Sequence, residues 1–270
     1  MSSRSGWLPA TPALVLLFAF FLFPVVRMLG FSLEAGTLDW YAKALGEQLY
    51  LRVFWNTFEI AVFVTAVCLL LGYPLGFLIA TTTPGWATLG FIFVLLPLWT
   101  SVLVRTYAWM VLLGRNGVFN RWLIEAGVIS DPLPLLHNFN GVLIGMVHVL
   151  LPYMVLPIYG AVRRLDPALV AAAEGLGASS WRIFWRVYLP LTLPGIFAGA
   201  TIVFVLSLGF FITPALLGGG KVMMLAVLIE QQIHQTLNWP FAAALSAVLL
   251  ALTLGVYSLA QLFTRQDARS

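Results

Sequence analysis

Two ionisable side chains, Glu59 and Arg105, stand beside or inside long apolar runs of this sequence. Keeping a charge there is costly without a partner, so each is a candidate contact for a charged solute. Arg105 has three uses open to it: pairing with an acid, contacting an anionic group, or snorkelling to the outer interface. Glu59 follows Asn56 and Thr57 at the outer end of an apolar run, where helix capping and dipole stabilisation compete with a cation site. An alkylammonium ion needs carboxylates for its charges and aromatic faces for its methylenes, which adds Trp99, Tyr107, Trp109, Tyr153, Phe210 and Phe211 to the candidates. Aromatics in membrane helices also serve as packing and interfacial belt residues.

Bond-making chemistry finds little footing. The segment TPALLGGGK, Thr213 to Lys221, invites a phosphate-loop reading, but Ala215 occupies the first glycine position of that pattern and Val222 replaces its Ser/Thr. His137, His148 and His234 lack the HExxH spacing of a metalloprotease, and no GxSxG elbow is present. Ser101, Ser207 and Ser246 have His148 as a conceivable base, yet nothing singles any of them out as a nucleophile. Cys68 is the only cysteine, so the chain builds neither a disulfide nor a cysteine metal cage within itself. No catalytic residue, metal site or bound cofactor is expected.

The elements that must position these residues are membrane helices. An apolar fraction of 61%, only 9% charged residues and a mean hydropathy of +0.98 lie far from the soluble balance of about half apolar and a quarter charged. Charge-free stretches run from Gly6 to Val26, Ile60 to Ala80, Trp86 to Val104, Gly141 to Val162, Val187 to Gly209 and Ala242 to Thr264, which predicts an all-α, polytopic membrane protein with six transmembrane helices. The 270 residues form a single membrane domain with little left for a soluble one. The first stretch is nearer a full span than a signal-peptide core and reads as a retained helix. Thr81 to Gly85 turns the second span into the third as an antiparallel hairpin. The net charge of +4 comes from scattered basic residues with no recognition module, so nucleic acid is not an expected partner, whereas membrane lipid is.

Orientation follows from where Lys and Arg gather. Arg163, Arg164, Arg182 and Arg186 crowd the loop between spans four and five, which puts that loop and both termini, with Arg4, Arg265 and Arg269, in the cytosol. Glu34, Asp39, Glu47, Glu125, Asp131 and Glu230 then fall outside, together with Lys43, Arg52, Arg115, Arg121 and Lys221. Trp7, Trp40, Trp55, Trp86, Trp122 and Trp239 lie near span ends as interfacial anchors, and Pro24, Pro74, Pro97, Pro152 and Pro157 are expected to kink helices.

The loop over residues 163–188 is too polar to span and too patterned to be a linker. It reads as two helices with a glycine corner: Asp166 caps the first with Pro167 behind it, Gly177 turns the chain, and Ser179 or Ser180 caps the second, about Trp181 to Tyr188. Arg182 and Arg186 share one face of that second helix, Ile183, Phe184 and Val187 pack toward the membrane, and Pro190 and Pro194 mark re-entry. The run Asp166, Leu169, Ala172, Ala173, Leu176, Gly177, Ala178, Ser179, then Leu189, Pro190, Leu191, Pro194, Gly195 and Ile196 resembles the cytoplasmic "EAA" loop of binding-protein-dependent ABC importer permeases, in particular their spermidine/putrescine-type branch. The stretches PLWTSVLVRTYAWMVLLG, LLPYMVLPIYG, TPALLGGGKVMMLA and NWPFAAA are similar to that branch too, so the likeness covers nearly the whole chain.

That resemblance implies a MetI-like, type I importer permease fold in a bacterial inner membrane. It implies partners as well: a second similar permease forming a heterodimer, two cytoplasmic ATPase subunits that use ATP and Mg, and an extracytoplasmic solute-binding protein. Asp166, Ala171, Ala172, Ala173, Glu174, Gly177, Ala178, Ser179 and Arg182 would form the ATPase-coupling surface. The motif glutamate aligns with Ala171, and the nearest acid, Glu174, one turn on, either reaches the ATPase in its place or is a solvated helix charge. The implied cargo is a polyamine, spermidine or putrescine; related permeases carry other small amines, opines, aminophosphonates or ferric ions. With Glu59 as the one suitably placed acid, a second subunit would complete a polyamine site. A stand-alone secondary transporter would be expected to carry intramembrane acids or an inverted repeat, and neither is evident.

Overall fold

The computed structural model of the chain describes residues 11–33 and 38–267. Arg4, Trp7, Glu34 and Arg269, used above for topology and anchoring, lie outside the described residues. Every regular element among the described residues is helical. In chain order these are α1 (Thr11–Ser32), α2 (Asp39–Gly46), α3 (Gln48–Thr81), α4 (Pro84–Trp99), α5 (Val102–Leu113), α6 (Val118–Glu125) and α7 (Phe139–Arg163). They continue with α8 (Pro167–Gly175), α9 (Ser180–Leu208), α10 (Ile212–Leu217), α11 (Leu225–His234) and α12 (Trp239–Asp267). Five of them, α1, α3, α7, α9 and α12, are long and apolar enough to cross a membrane, and α4 with the chain after it makes a sixth only as a pair bent by 102°.

That bend corrects the expected continuous third span from Trp86 to Val104. Pro97 has no N–H to give to the helix, and Thr100 and Ser101 are both extended, at ψ 149° and 137°, so α4 stops and α5 starts in a new direction. Pro74, Pro152 and Pro157, also expected to kink helices, lie inside continuous helices. The second span also begins earlier than its charge-free stretch. At 34 residues α3 is about 51 Å long against a hydrocarbon core of about 30 Å, so its first turns, carrying Arg52 and Asn56, project beyond the apolar slab.

The core lies where α3, α7 and α9 pack on one another. Ile60, Val64 and Cys68 of α3 meet Met146, Leu150, Met154 and Ile158 of α7 and Val203 of α9, all buried. Glycines bring these helices close. A Cβ on Gly72 would sit 2.8 Å from Met154 Cγ, and one on Gly199 would sit 2.9 Å from Met154 Sδ, so Met154 is held between two glycines on different helices. α12 packs against α9, α11 and α2, and α1 leans on α12 with most of its side chains uncovered, Ser32 at its end being buried.

A second, smaller cluster gathers around the start of α3 through Tyr50, Val53, Leu225, Leu228, Phe241 and Leu245. Trp40, expected as a lipid anchor, belongs to it instead: its ring is 5.6 Å from that of Phe241, and Lys43 Nζ lies within 6 Å of the Trp40, Tyr50 and Phe241 rings, at 5.8, 5.9 and 5.2 Å. Buried Thr57 joins the cluster to α3, since its Oγ1 accepts the Leu225 N–H at 2.8 Å and donates to the Val53 carbonyl at 2.7 Å. Thr57→Val keeps the shape but strands the Leu225 N–H, so we expect a loss of about 1–3 kcal/mol, read as a lowered thermal midpoint of the purified protein in detergent. An unchanged midpoint would mean that water or a backbone shift satisfies that group.

Candidate functional site

The elbow between α7 and α9 is built by local rules. Asp166 Oδ1 accepts the Ala168 N–H at 2.9 Å and Pro167 opens α8. At the other end the Gly177 N–H reaches the Glu174 carbonyl at 2.9 Å and the Ala178 N–H reaches the Ala173 carbonyl at 3.0 Å, a Schellman closure with Gly177 at φ +80°. Ser179 Oγ then accepts the Arg182 N–H at 3.4 Å and caps the next helix. The second arm does not end near Tyr188 as expected, and Pro190 and Pro194, expected to mark re-entry, lie inside a helix that continues. The second arm runs on from Ser180 to Leu208 as α9, with Phe184–Tyr188 wound as a π-helix. Pro190 falls just after that change of pitch, where a missing N–H is readily absorbed.

The two arms of the elbow differ in how they are held. No residue of α8 is buried, and Leu176 at the corner and Trp181 beyond it are 89% and 71% exposed. Ala171, Ala172, Glu174, Gly177, Ser179 and Arg182 are exposed and Ala173 and Ala178 half-buried. The second arm is anchored: Ile183 is buried, and the Phe184 ring lies 5.8 Å from Tyr73 and 5.7 Å from Phe77 of α3. The Tyr73 hydroxyl meets Thr192 Oγ1 at 3.1 Å. Packed rings thus connect the second arm, which is the start of α9, to α3, one of the helices that share the core with α7. Beneath α8 a cleft of about 350 Å³ is lined by Ala171 and Glu174 together with Arg163, Asp166 and Tyr188. Glu174 thus opens onto the same space as position 171.

At the opposite end of α3 lies a charged cleft of about 470 Å³, lined among others by Arg52, Asn56, Glu59, Phe139 and Lys221. Glu59 sits in the interior of α3, eleven residues past its start at Gln48, so the helix-capping reading of Glu59 falls. The glycine turn from Gly218 brings Lys221 to this cleft, with Gly219 and Gly220 both at positive φ. Arg105 is elsewhere. It is 8% exposed and turned inward, which removes the snorkelling reading; Nη1 donates to the Pro97 carbonyl across the bend, and Nε is buried with no hydrogen-bond partner among the described residues.

The candidate pathway residues therefore separate. Trp109 Nε1 donates to His148 Nδ1 at 3.1 Å, linking α5 to α7 near Arg105, with Tyr153 within electrostatic reach. Trp99 and Tyr107 point away from the core, at 89% and 55% exposure, Phe211 is exposed, and Phe210 packs on the central cluster. None of them lines the Glu59 cleft.

Residues 6–266 match the family described as binding-protein-dependent transport system inner membrane component. The chain belongs to that family. As one of its members it is similar to the spermidine/putrescine transport system permease protein PotB of Haemophilus influenzae, at 41% identity over 82% of this chain and 78% of that one. PotB of Escherichia coli is 36% identical over 82% of this chain and 81% of its own length. The fold matches a permease chain of a bacterial alginate ABC transporter solved with its alginate-loaded periplasmic protein, with a TM-score of 0.75 and 19% identity over 98% of this chain and 96% of that one. A chain of the MetNI methionine transporter in an inward-facing form matches at a TM-score of 0.63 and 18% identity, over 81% and 95%. The MetI-like permease fold implied by the loop is thus the fold found, and the family places the chain in an inner membrane.

Three features of this family member were not singled out from its residues. Lys221 enters the Glu59 cleft although it is far along the chain. Thr106 and Thr213, with hydroxyls 3.2 Å apart, fasten α5 to α10 beside the bend. Asn120, fully buried, accepts the Leu133 N–H and donates to the Gly114 and Leu133 carbonyls, holding the loop after α6. No local pattern announces these, because each depends on a partner brought close only by folding.

Proposed function

We propose that this chain is a permease subunit of an ATP-driven importer whose cargo is a polyamine such as spermidine or putrescine. The observation that carries the reading is the exposed elbow at Gly177, whose first arm has no buried residue while its second arm is locked by aromatic rings into the core. Such an element suits the grip of another protein. In this reading Asp166, Ala171, Ala172, Ala173, Glu174, Gly177, Ala178, Ser179 and Arg182 face one of two cytosolic ATPase subunits, and a second, similar permease completes the translocation path. An extracytoplasmic binding protein delivers the cargo to the opposite face. ATP and Mg belong to the ATPases, and this chain binds no cofactor and catalyses no reaction.

Closure of the ATPases would move α8, and the Phe184 contacts would pass that motion to α3 and α9, giving alternating access by rigid-body displacement. The polyamine assignment is supported by the identity to PotB proteins over four-fifths of the chain. On the cargo's route, Glu59 receives an ammonium group at the outer cleft, in competition with Arg52 and Lys221, and Trp109, Tyr153 and Phe210 offer aromatic faces further along, while Trp99 and Tyr107, turned away from the core, would serve on the side that meets the second permease and Arg105 holds the bent span. The test is uptake of labelled spermidine into proteoliposomes holding the complete assembly, with ATP inside the lumen-equivalent compartment that faces the ATPases. Uptake that needs ATP, the ATPases and the binding protein together is expected, and uptake by the isolated chain would overturn the proposal.

Glu174 supplies a narrower check. Because it shares a cleft with position 171, Glu174→Ala is expected to lower binding-protein-stimulated ATP hydrolysis several-fold, and Glu174→Gln less so. Unchanged hydrolysis in both variants would make Glu174 a solvated charge.

A further inference from the structure

The start of α9 carries a Trp–Arg repeat of which the proposed coupling surface takes only Arg182. The sequence Trp181-Arg182-Ile183-Phe184-Trp185-Arg186 places two Trp–Arg pairs four residues apart on one continuous helix. Ile183 is buried and Phe184 faces Tyr73 and Phe77, while Trp181 and Trp185 flank Phe184 with ring centroids at 6.3 and 5.5 Å and keep their remaining faces, like the two arginines, on the open side. Trp181 and Trp185 are 71% and 49% exposed with rings 5.5 Å apart, and both arginines are exposed. The charge-free part of α9 begins at Val187, and at 1.5 Å per residue the four side chains extend about 9 Å from that boundary, close to the depth of one headgroup layer.

We propose that this face binds the phosphate headgroups of anionic phospholipids, with Arg182 and Arg186 holding phosphate oxygens, Trp185 reaching the upper acyl chains and Trp181 lying in the headgroup layer. The inference rests on the reading of α9 as a membrane helix, not on which side of the membrane the elbow occupies. Guanidinium groups pair with phosphate through two N–H donors, and an indole suits a layer that is apolar on one side and wet on the other. The nearest acids of the elbow, Asp166 and Glu174, line the separate cleft under α8 and leave the arginines free for an outside anion. A protein contact with the ATPase through Arg182 is the competing use. It accounts less well for a pair of tryptophans repeated in step with the arginines along the membrane normal.

The experiment uses the complete transporter in nanodiscs of phosphatidylcholine containing about one-third phosphatidylglycerol, with bromine placed on the acyl chains of one lipid or the other. Quenching assigned to Trp185, taken as the difference from Trp185→Phe, should be stronger with brominated phosphatidylglycerol at equal bromine content. Each basic residue at a membrane surface is worth roughly five-fold in lipid enrichment. Arg186→Gln should therefore cut the preference about five-fold and Arg182→Gln/Arg186→Gln should abolish it. Equal quenching by both lipids, a preference that survives the double variant, or loss of the ATPase from the Arg182→Gln complex with lipid preference intact would each overturn the proposal. Both leaflets of a nanodisc have the same composition, so an inverted topology would leave the lipid result unchanged and would be found separately by labelling Ser180→Cys with an impermeant maleimide.

Discussion

Gly177→Val is expected to reduce binding-protein-stimulated ATP hydrolysis and uptake by more than ten-fold while the protein still folds. Gly177 sits at φ +80°, a conformation that costs an ordinary L-residue about 1–2 kcal/mol and a β-branched one more. Valine at this corner gives up the Schellman closure, and with it the hydrogen bonds from residues 177 and 178 that fix the angle between α8 and α9. Space is not the issue, because nothing lies within 4 Å of a Cβ built there. The damage is to direction. Since α8 contributes no buried residue, global stability should fall little, and the thermal midpoint of the variant should stay near that of the parent while coupling is lost. Gly177→Asn, which tolerates a left-handed backbone, should keep much of the activity. Full coupling in the valine variant would mean that the corner geometry does not matter for the grip.

Gly199→Leu should act in the opposite way, removing the folded protein rather than its coupling. A Cβ at position 199 meets Met154 Sδ at 2.9 Å and the Met154 carbonyl at 3.1 Å, and Met154 is already confined by Gly72 on the other side. The methionine side chain has nowhere to retreat, and the carbonyl is part of α7. Leucine there forces α7 and α9 apart along the tightest seam of the core, at a cost above the usual 1–3 kcal/mol of overpacking. Membranes should contain several-fold less of this variant, and what is extracted should aggregate on size exclusion. Gly160→Ala, where nothing lies within 4 Å, is the matched control and should accumulate normally. A monodisperse, abundant Gly199→Leu protein would show that the helices are not packed as described.

The parts of this architecture legible in the sequence are those governed by short-range rules. Charge-free runs marked the spans because a bilayer taxes charge at every depth, and the caps at Asp166 and Ser179 and the corner at Gly177 were readable because each is settled within four residues. The third span misled because hydropathy does not distinguish a straight apolar run from one broken by two extended residues after a proline, as at Thr100 and Ser101. The start of α3 was missed for a related reason: the helix already runs through Arg52 and Glu59, while the charge-free run begins only at Ile60. Trp40 read as a belt residue because local position is all a sequence offers, and its partner Phe241 lies two hundred residues further on. The charged cleft was half visible. Glu59 could be picked out as an acid near a span, but Lys221 joins it only through the glycine turn and the packing of the outer ends.

The central claim is that the exposed corner of the elbow is held by a nucleotide-hydrolysing partner. The direct measurement is crosslinking from Leu176→Cys, a position 89% exposed, in a background where the buried native Cys68 is replaced by alanine. In membranes containing the assembled transporter, a short bifunctional thiol reagent should join residue 176 to the ATPase subunit, in a yield that changes when ATP is added. A residue 176 that never reaches the ATPase, and is instead modified by an impermeant maleimide added to the outer face of intact cells, would contradict the account.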